Sequence, residues 1–235
     1  MGGRRALVAI LLVVAGCDAT FGLVDVHNPA GSDAAPAMCG GAVELQDTFD
    51  ANAIDVLHWN PTSRQGATTS ETGGEAVLDL GAGAVQAQTF AQLQSRNTYD
   101  VGGHQVSVEV TRISNTTSTL QAVLYAGSPD GQNELDIVAE QGFIDADVRE
   151  LNTFKQLNTS IPYDPAYHRF WSIRERGGTV TFETSPDRIT WVPMVTYVPP
   201  FAVTSLYVGV YTYTDTAWTD PGLATFDNFV LCKQP

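Results

Sequence analysis

Basic residues are scarce in this 235-residue chain: 12 Lys and Arg stand against 26 Asp and Glu, a formal charge of −14. That imbalance excludes a nucleic-acid partner held by phosphate neutralisation. It also argues against docking of the folded part on anionic lipid headgroups. Cysteine is sparse, with three in all, and no third or fourth ligand stands beside any of them as a zinc site requires. His27, His58, His104 and His168 are scattered, none at metal-ligand spacing. No apolar run reaches the roughly 20 residues of a membrane-spanning helix. Nucleophile-elbow and phosphate-cradling glycine motifs are missing as well.

What is present begins at the N-terminus. Arg4 and Arg5 precede an apolar run from Ala6 to Ala15 that closes on Gly16-Cys17, the order of a signal peptide. Leu12-Val13-Val14-Ala15-Gly16-Cys17 resembles the lipobox of bacterial lipoproteins, and the resemblance implies cleavage after residue 16 and a lipid on Cys17. The expected product is exported and anchored to a bacterial membrane, at the periplasmic face or the cell surface. Without Arg4 and Arg5, 10 basic residues remain against 26 acidic ones. Acylation of Cys17 leaves Cys39 and Cys232 as an even pair. A disulfide between them would tie the first strand region to the last in an oxidising compartment.

Residues 17–38 are rich in Ala, Asp, Pro and Gly without periodicity, as expected of a tether. Residues 39–235 suffice for one domain, and neither a second linker nor an internal repeat divides them. Helical periodicity is lacking there, while period-two runs bounded by Gly, Pro, Asn and Asp recur. Val106, Val108 and Val110 alternate with Gln105, Ser107, Glu109 and Thr111, and Leu120, Ala122 and Leu124 form a similar stripe. A two-residue turn at Gly177-Gly178 pairs Ile173 with Phe182 and Glu175 with Val180. The expected fold is all-β, an antiparallel two-sheet jelly-roll sandwich.

Several segments resemble the concanavalin A-like lectin and glucanase superfamily. Asp47-Thr48-Phe49-Asp50 with Leu57-His58-Trp59 is similar to the opening of such domains, and Thr225-Phe226-Asp227-Asn228-Phe229 to their closing strand. Trp171-Ser172-Ile173-Arg174-Glu175 and Ser185-x-Asp187-x-x-Thr190-Trp191 look like the hairpin found there. These motifs bear on fold more than on function.

Glu134-Leu135-Asp136-Ile137-Val138-Ala139-Glu140 resembles the catalytic strand of laminarinase- and lichenase-type glycoside hydrolases, E-x-D-x-E or E-x-D-x-x-E. The resemblance makes Glu134, Asp136 and Glu140 the catalytic candidates. The third acid is displaced, however. On a regular strand Glu134 and Glu140 lie about 20 Å apart, against about 5–5.5 Å for retaining and 6.5–9.5 Å for inverting chemistry. Only a bulge with strong curvature would close that gap.

A two-residue turn at Gln141-Gly142 would pair Glu140 with Phe143, Val138 with Asp145, Asp136 with Asp147 and Glu134 with Arg149. Like charges directly opposed are destabilising, so the acids Asp136, Asp145 and Asp147 need compensation. Bound Ca²⁺, a neighbouring arginine, a raised pKa or a different register would each supply it. Asp136, Asp145 and Asp147 are therefore the metal candidates. On a further strand Leu206, Val208 and Val210 face one way and Tyr207, Tyr211 and Tyr213 the other, with Gly209 a gap in the tyrosine row. Flat aromatics beside carboxylates suit a carbohydrate, with Trp218 close in sequence; tyrosines packing on one another across a sheet are the alternative.

The ligand-binding candidates are thus Glu134, Asp136, Asp145, Asp147, Tyr207, Tyr211 and Tyr213. Noncatalytic recognition of a glycan or polysaccharide by a monomer is the leading expectation. A glycoside hydrolase acting on a β-glucan-like chain, and a structural or protein-partner domain, are its rivals.

Overall fold

A computed structural model describes residues 41–234. Cys17 and Cys39, and with them the signal, lipid and tether readings, lie outside the described residues. In chain order the strands are β1 (Val43–Asp47), β2 (Trp59–Arg64), β3 (Thr68–Thr72), β4 (Glu75–Asp79), β5 (Ala84–Val85), β6 (Thr89–Ser95), β7 (His104–Ile113), β8 (Gln121–Gly127) and β9 (Glu134–Glu140). They continue as β10 (Phe143–Glu150), β11 (Thr153–Gln156), β12 (Ile161–Pro162), β13 (Phe170–Arg176), β14 (Thr179–Ser185), β15 (Val192–Tyr197), β16 (Tyr207–Thr214), β17 (Trp218–Thr219) and β18 (Leu223–Lys233). Among the described residues there is no helix.

Two large antiparallel sheets stack face to face. One runs β15-β14-β13-β7-β18-β4-β3, with β1 also on β18; the other runs β11-β10-β9-β8-β16-β6-β2, with β12 also on β10. A small β17-β5 ribbon stands apart. The all-β two-sheet sandwich expected from period-two alternation is the fold observed. Val106, Val108 and Val110, and Leu120, Ala122 and Leu124, all point into the core between the sheets.

The opening and closing motifs meet as one packing unit. The Trp59 indole donates to Asp47 Oδ2 at 2.7 Å, and Phe49 N donates to Asp47 Oδ1 at 2.8 Å. This second bond holds the bulky Phe49 at φ 51°. Trp59 meets Phe229 edge-on with ring centroids 5.0 Å apart. The hairpin motif is structural too, since Asp187 Oδ1 gathers the N–H groups of Ile189 and Thr190 at 2.9 and 2.7 Å. First and last strands are neighbours, with Val43 opposite Cys232, and Cys232 is fully buried.

Both turns set the registers expected of them. Gly177-Gly178 joins β13 and β14 with Ile173 opposite Phe182 and Glu175 opposite Val180. Gln141 and Gly142 adopt φ 49° and 81°, the double left-handed pair of a tight hairpin whose twist matches its strands. They put Glu140 opposite Phe143, Val138 opposite Asp145, Asp136 opposite Asp147 and Glu134 opposite Arg149.

One face departs from simple alternation. The polar residues Gln105, Ser107 and Glu109 of β7 are buried as well, with β7 lying between β13 and β18 inside its sheet. Arg169 Nε donates to Glu109 at 2.7 Å, and Gln105 donates to Ser172 Oγ at 2.9 Å.

Candidate functional site

The outer face of the β9-containing sheet forms a cleft of about 680 Å³. Its lining is drawn from alternate residues, because successive side chains on a strand point to opposite faces. On β9 these are Glu134, Asp136, Val138 and Glu140; on β10, Asp145, Asp147 and Arg149; on β16, Tyr211 and Tyr213. Phe154 of β11 stands at one end, Phe90 and Gln92 of β6 toward the other. Tyr207 shares the tyrosine face but does not line the cleft.

Glu134 is buried and held from two sides. The Arg149 guanidinium contacts Oε2, and the Tyr211 hydroxyl donates to Oε1 at 3.1 Å. Arg149 is itself fixed, donating to Gly131 O at 2.8 Å and lying 4.8 Å from the centre of the Phe154 ring.

Asp136 is 1 % exposed, and no N–H or O–H of the protein reaches either of its oxygens. Burial first, then the charge of Glu134 and a contact with the Glu134 carboxyl, push its pKa well above the ordinary carboxylate value. Across the ladder, Asp147 is pushed up to about 6 by burial and by the charges of Asp145 and Glu140, and its Oδ1 is also without a donor. Glu140 is raised chiefly by burial and accepts from Gln121 Nε2 at 3.1 Å. Asp145 accepts from Gln156 Nε2 at 2.6 Å.

The raised carboxyls are thus one of the compensations the opposed acids required. Among the described residues no group of three or more His, Cys, Asp or Glu is arranged to hold a metal ion, and Asp136, Asp145 and Asp147 do not form one.

The bulge that would have brought a third acid back toward Glu134 is not there. β9 pairs with β8 and β10 residue for residue, without a register shift. Val138 therefore stands four residues after Glu134 on the cleft face, where E-x-D-x-E places its last acid. Ala139, the corresponding position of E-x-D-x-x-E, is buried in the core. Glu140 lies six residues from Glu134, a span of about 20 Å on an extended strand.

The gap at Gly209 is filled from the adjacent strand. Tyr125 of β8 lies directly opposite Gly209, its ring centroid 5.4 Å from that of Tyr211. Its hydroxyl accepts from Gln92 at 2.7 Å and donates to Gln94 at 3.2 Å on β6, beyond β16. Tyr125, Phe90, Gln92 and Phe154 were not singled out from the sequence. Alternation along β8 puts Tyr125 on the cleft face, but its partner Gly209 is far away in the chain. Trp218 sits on the small β17-β5 ribbon, 42 % exposed and outside the cleft.

No protein-family model matches the chain, and comparison with curated proteins by sequence finds no match. Solved structures do resemble it. An endo-acting O-glycanase of the human gut microbiota superposes with TM-score 0.63 at 10% identity, covering 83% of this chain and 100% of that one. Bacillus licheniformis β-glucanase gives 0.55 at 10% identity, with 81% and 98% covered. A Mycobacterium tuberculosis immunostimulatory antigen, described as a pseudo β-1,3-glucanase, gives 0.55 at 12% identity, with 83% and 100% covered. At such identities the likeness establishes the fold, a concanavalin A-like sandwich of the kind found in β-glucanases.

Proposed function

We propose that this chain recognises a glycan in the β9–β10 cleft without cleaving it, as an exported domain anchored through a lipid on Cys17. The observation that carries this reading is Val138. In the strand that resembles a catalytic E-x-D-x-E, it takes the place of the motif's last acid, four residues after Glu134, and Arg149 and Tyr211 already hold Glu134 itself. What remains is a binding surface. Phe154 and Phe90 flank polar side chains across five strand spacings, about 24 Å, the length of an oligosaccharide rather than a single sugar. Similar structures that act on glycans support a glycan ligand, and the one described as a pseudo β-1,3-glucanase supports binding without cleavage.

One observation favours hydrolysis instead: Asp147, with its pKa near 6, stands diagonally across from Glu134 and has the titration range of a general acid. Full-length protein titrated against an oligosaccharide panel, with reducing ends counted in parallel, separates the readings. Binding without new reducing ends is expected. Reducing ends that disappear in both Glu134→Gln and Asp147→Asn would overturn the noncatalytic reading, and no binding to any oligosaccharide would overturn glycan recognition itself.

A further inference from the structure

The cleft is lined by six acidic residues, Glu134, Asp136, Glu140, Asp145, Asp147 and Asp215, and by two basic ones, Arg64 and Arg149. Glu134 engages Arg149, which leaves the middle of the cleft without a cation. Four of the acids surround a single apolar floor residue, Val138. Asp136 and Glu140 flank it on β9, Asp145 lies directly opposite on β10, and Asp147 is diagonal to it. On the other side Val138 packs with Val123, Tyr125 and Tyr211.

An acidic ring alone would be ordinary surface. Here one member, Asp136, is 1 % exposed, lines the cleft, and has no donor on either oxygen. Asp147 Oδ1 is likewise buried without a partner. Buried acceptors left without donors are costly, and opposed acids add repulsion. A ligand carrying positive charge and several hydrogen-bond donors would relieve both.

We infer that the Val138 floor and its ring of Asp136, Glu140, Asp145 and Asp147 form a subsite for the ammonium group of an amino-sugar glycan. The inference deepens the glycan reading and rests on it. An ammonium brings three donors and no acceptor, matching a ring that offers acceptors only. The apolar face of a pyranose ring suits Val138 and the neighbouring Tyr211 edge. Uronic or sulfated glycans meet like charge and are rejected. N-acetylation removes the charge and two of the donors. Raised carboxyls around the floor agree with a site that lacks its counter-charge when empty: Asp136, Asp147 and Glu140 all shift upward.

The test is calorimetric titration of the full-length protein with a β-1,4-linked glucosamine tetramer, its N-acetylated counterpart, cellotetraose and tetralysine. The glucosamine tetramer is expected to bind at least about tenfold tighter than either neutral tetramer. That preference should shrink in high salt and be lost in Asp145→Asn/Asp147→Asn. Removing opposed charges should not lower that variant's melting temperature, so loss of binding would not reflect unfolding. Val138→Lys, which places an ammonium in the ring from within, is expected to block the glucosamine tetramer while keeping the cooperative melt.

Equal or tighter binding of the neutral tetramers would overturn the ammonium subsite and leave glycan recognition standing. Tetralysine binding as tightly as the glucosamine tetramer would show a cation site without sugar selectivity and overturn the inference. Binding of none of the four would overturn the inference as well, while other oligosaccharides would still decide the broader reading.

Discussion

Asp136, Asp147 and Asp227 share an unusual condition: each is driven upward in the fold, chiefly by burial. Asp147 reaches about 6, and Asp227 about 7 with the acids Glu109, Asp50 and Glu75 adding to burial against a bond from Asn228 N. A carboxyl whose folded pKa exceeds its unfolded value binds more protons in the native state, so stability falls as pH rises across that window. For Asp147 and Asp227 the window runs from the ordinary 3.8 up to about 6 and 7. Thermal melts should therefore show a higher midpoint at pH 5 than at pH 8, and Asp147→Asn with Asp227→Asn should flatten the slope. A midpoint rising toward pH 8 would contradict this account. Gly209 is a residue-scale constraint of another kind. A Cβ there would lie 2.1 Å from the Leu93 carbonyl oxygen and 3.1 Å from Gln94 Cα, both backbone atoms. Gly209→Ala should cost at least about 2 kcal/mol in urea unfolding and displace the Tyr125 ring that lies opposite.

At the scale of the element, the β9–β10 hairpin was the most legible part of the molecule. Its turn has two residues, so naming Gln141-Gly142 as the turn fixed every pair from Glu140–Phe143 to Glu134–Arg149. The turn's demand for left-handed backbone also makes a clean prediction. Nothing lies closer than 3.9 Å to a Cβ built on Gly142 at its φ of 81°. Gly142→Ala should thus cost only about 1–2 kcal/mol of backbone strain, readable in urea unfolding without change of fold. Other elements were legible only in part. Tyr125 is not legible in the sequence because its role depends on Gly209, Gln92 and Gln94, which reach it through β8-β16-β6 pairings between segments distant in sequence. The burial of Gln105, Ser107 and Glu109 was hidden for a related reason. Alternation assigns a residue to a face, but not what lies over that face.

For the whole molecule, the sandwich followed from period-two alternation, while the edges of each sheet and the cleft between β11 and β6 depended on strand order. The lipid and disulfide readings are decided by chemistry at Cys17, Cys39 and Cys232. Cys17→Ser should move the protein from the membrane to the soluble fraction, and non-reducing peptide mapping should recover Cys39 linked to Cys232; a membrane-bound variant or separate peptides would refute the respective reading. The pairing of β1 has a mechanical consequence. Among the described residues the backbone ladder of β1 is with β18, with a side-chain contact from Glu44 to His104 of β7, and no strand ladder joins that sheet to the one that forms the cleft. With Cys39 linked to Cys232, a pull entering from the lipid side and resisted by a ligand in the cleft passes directly into β18 and spares β1; with that link reduced, the same pull is carried first by the short β1–β18 ladder. Reduction should therefore turn β1 into a fuse, lengthening the chain between Val43 and Trp59 while the far sheet keeps its grip.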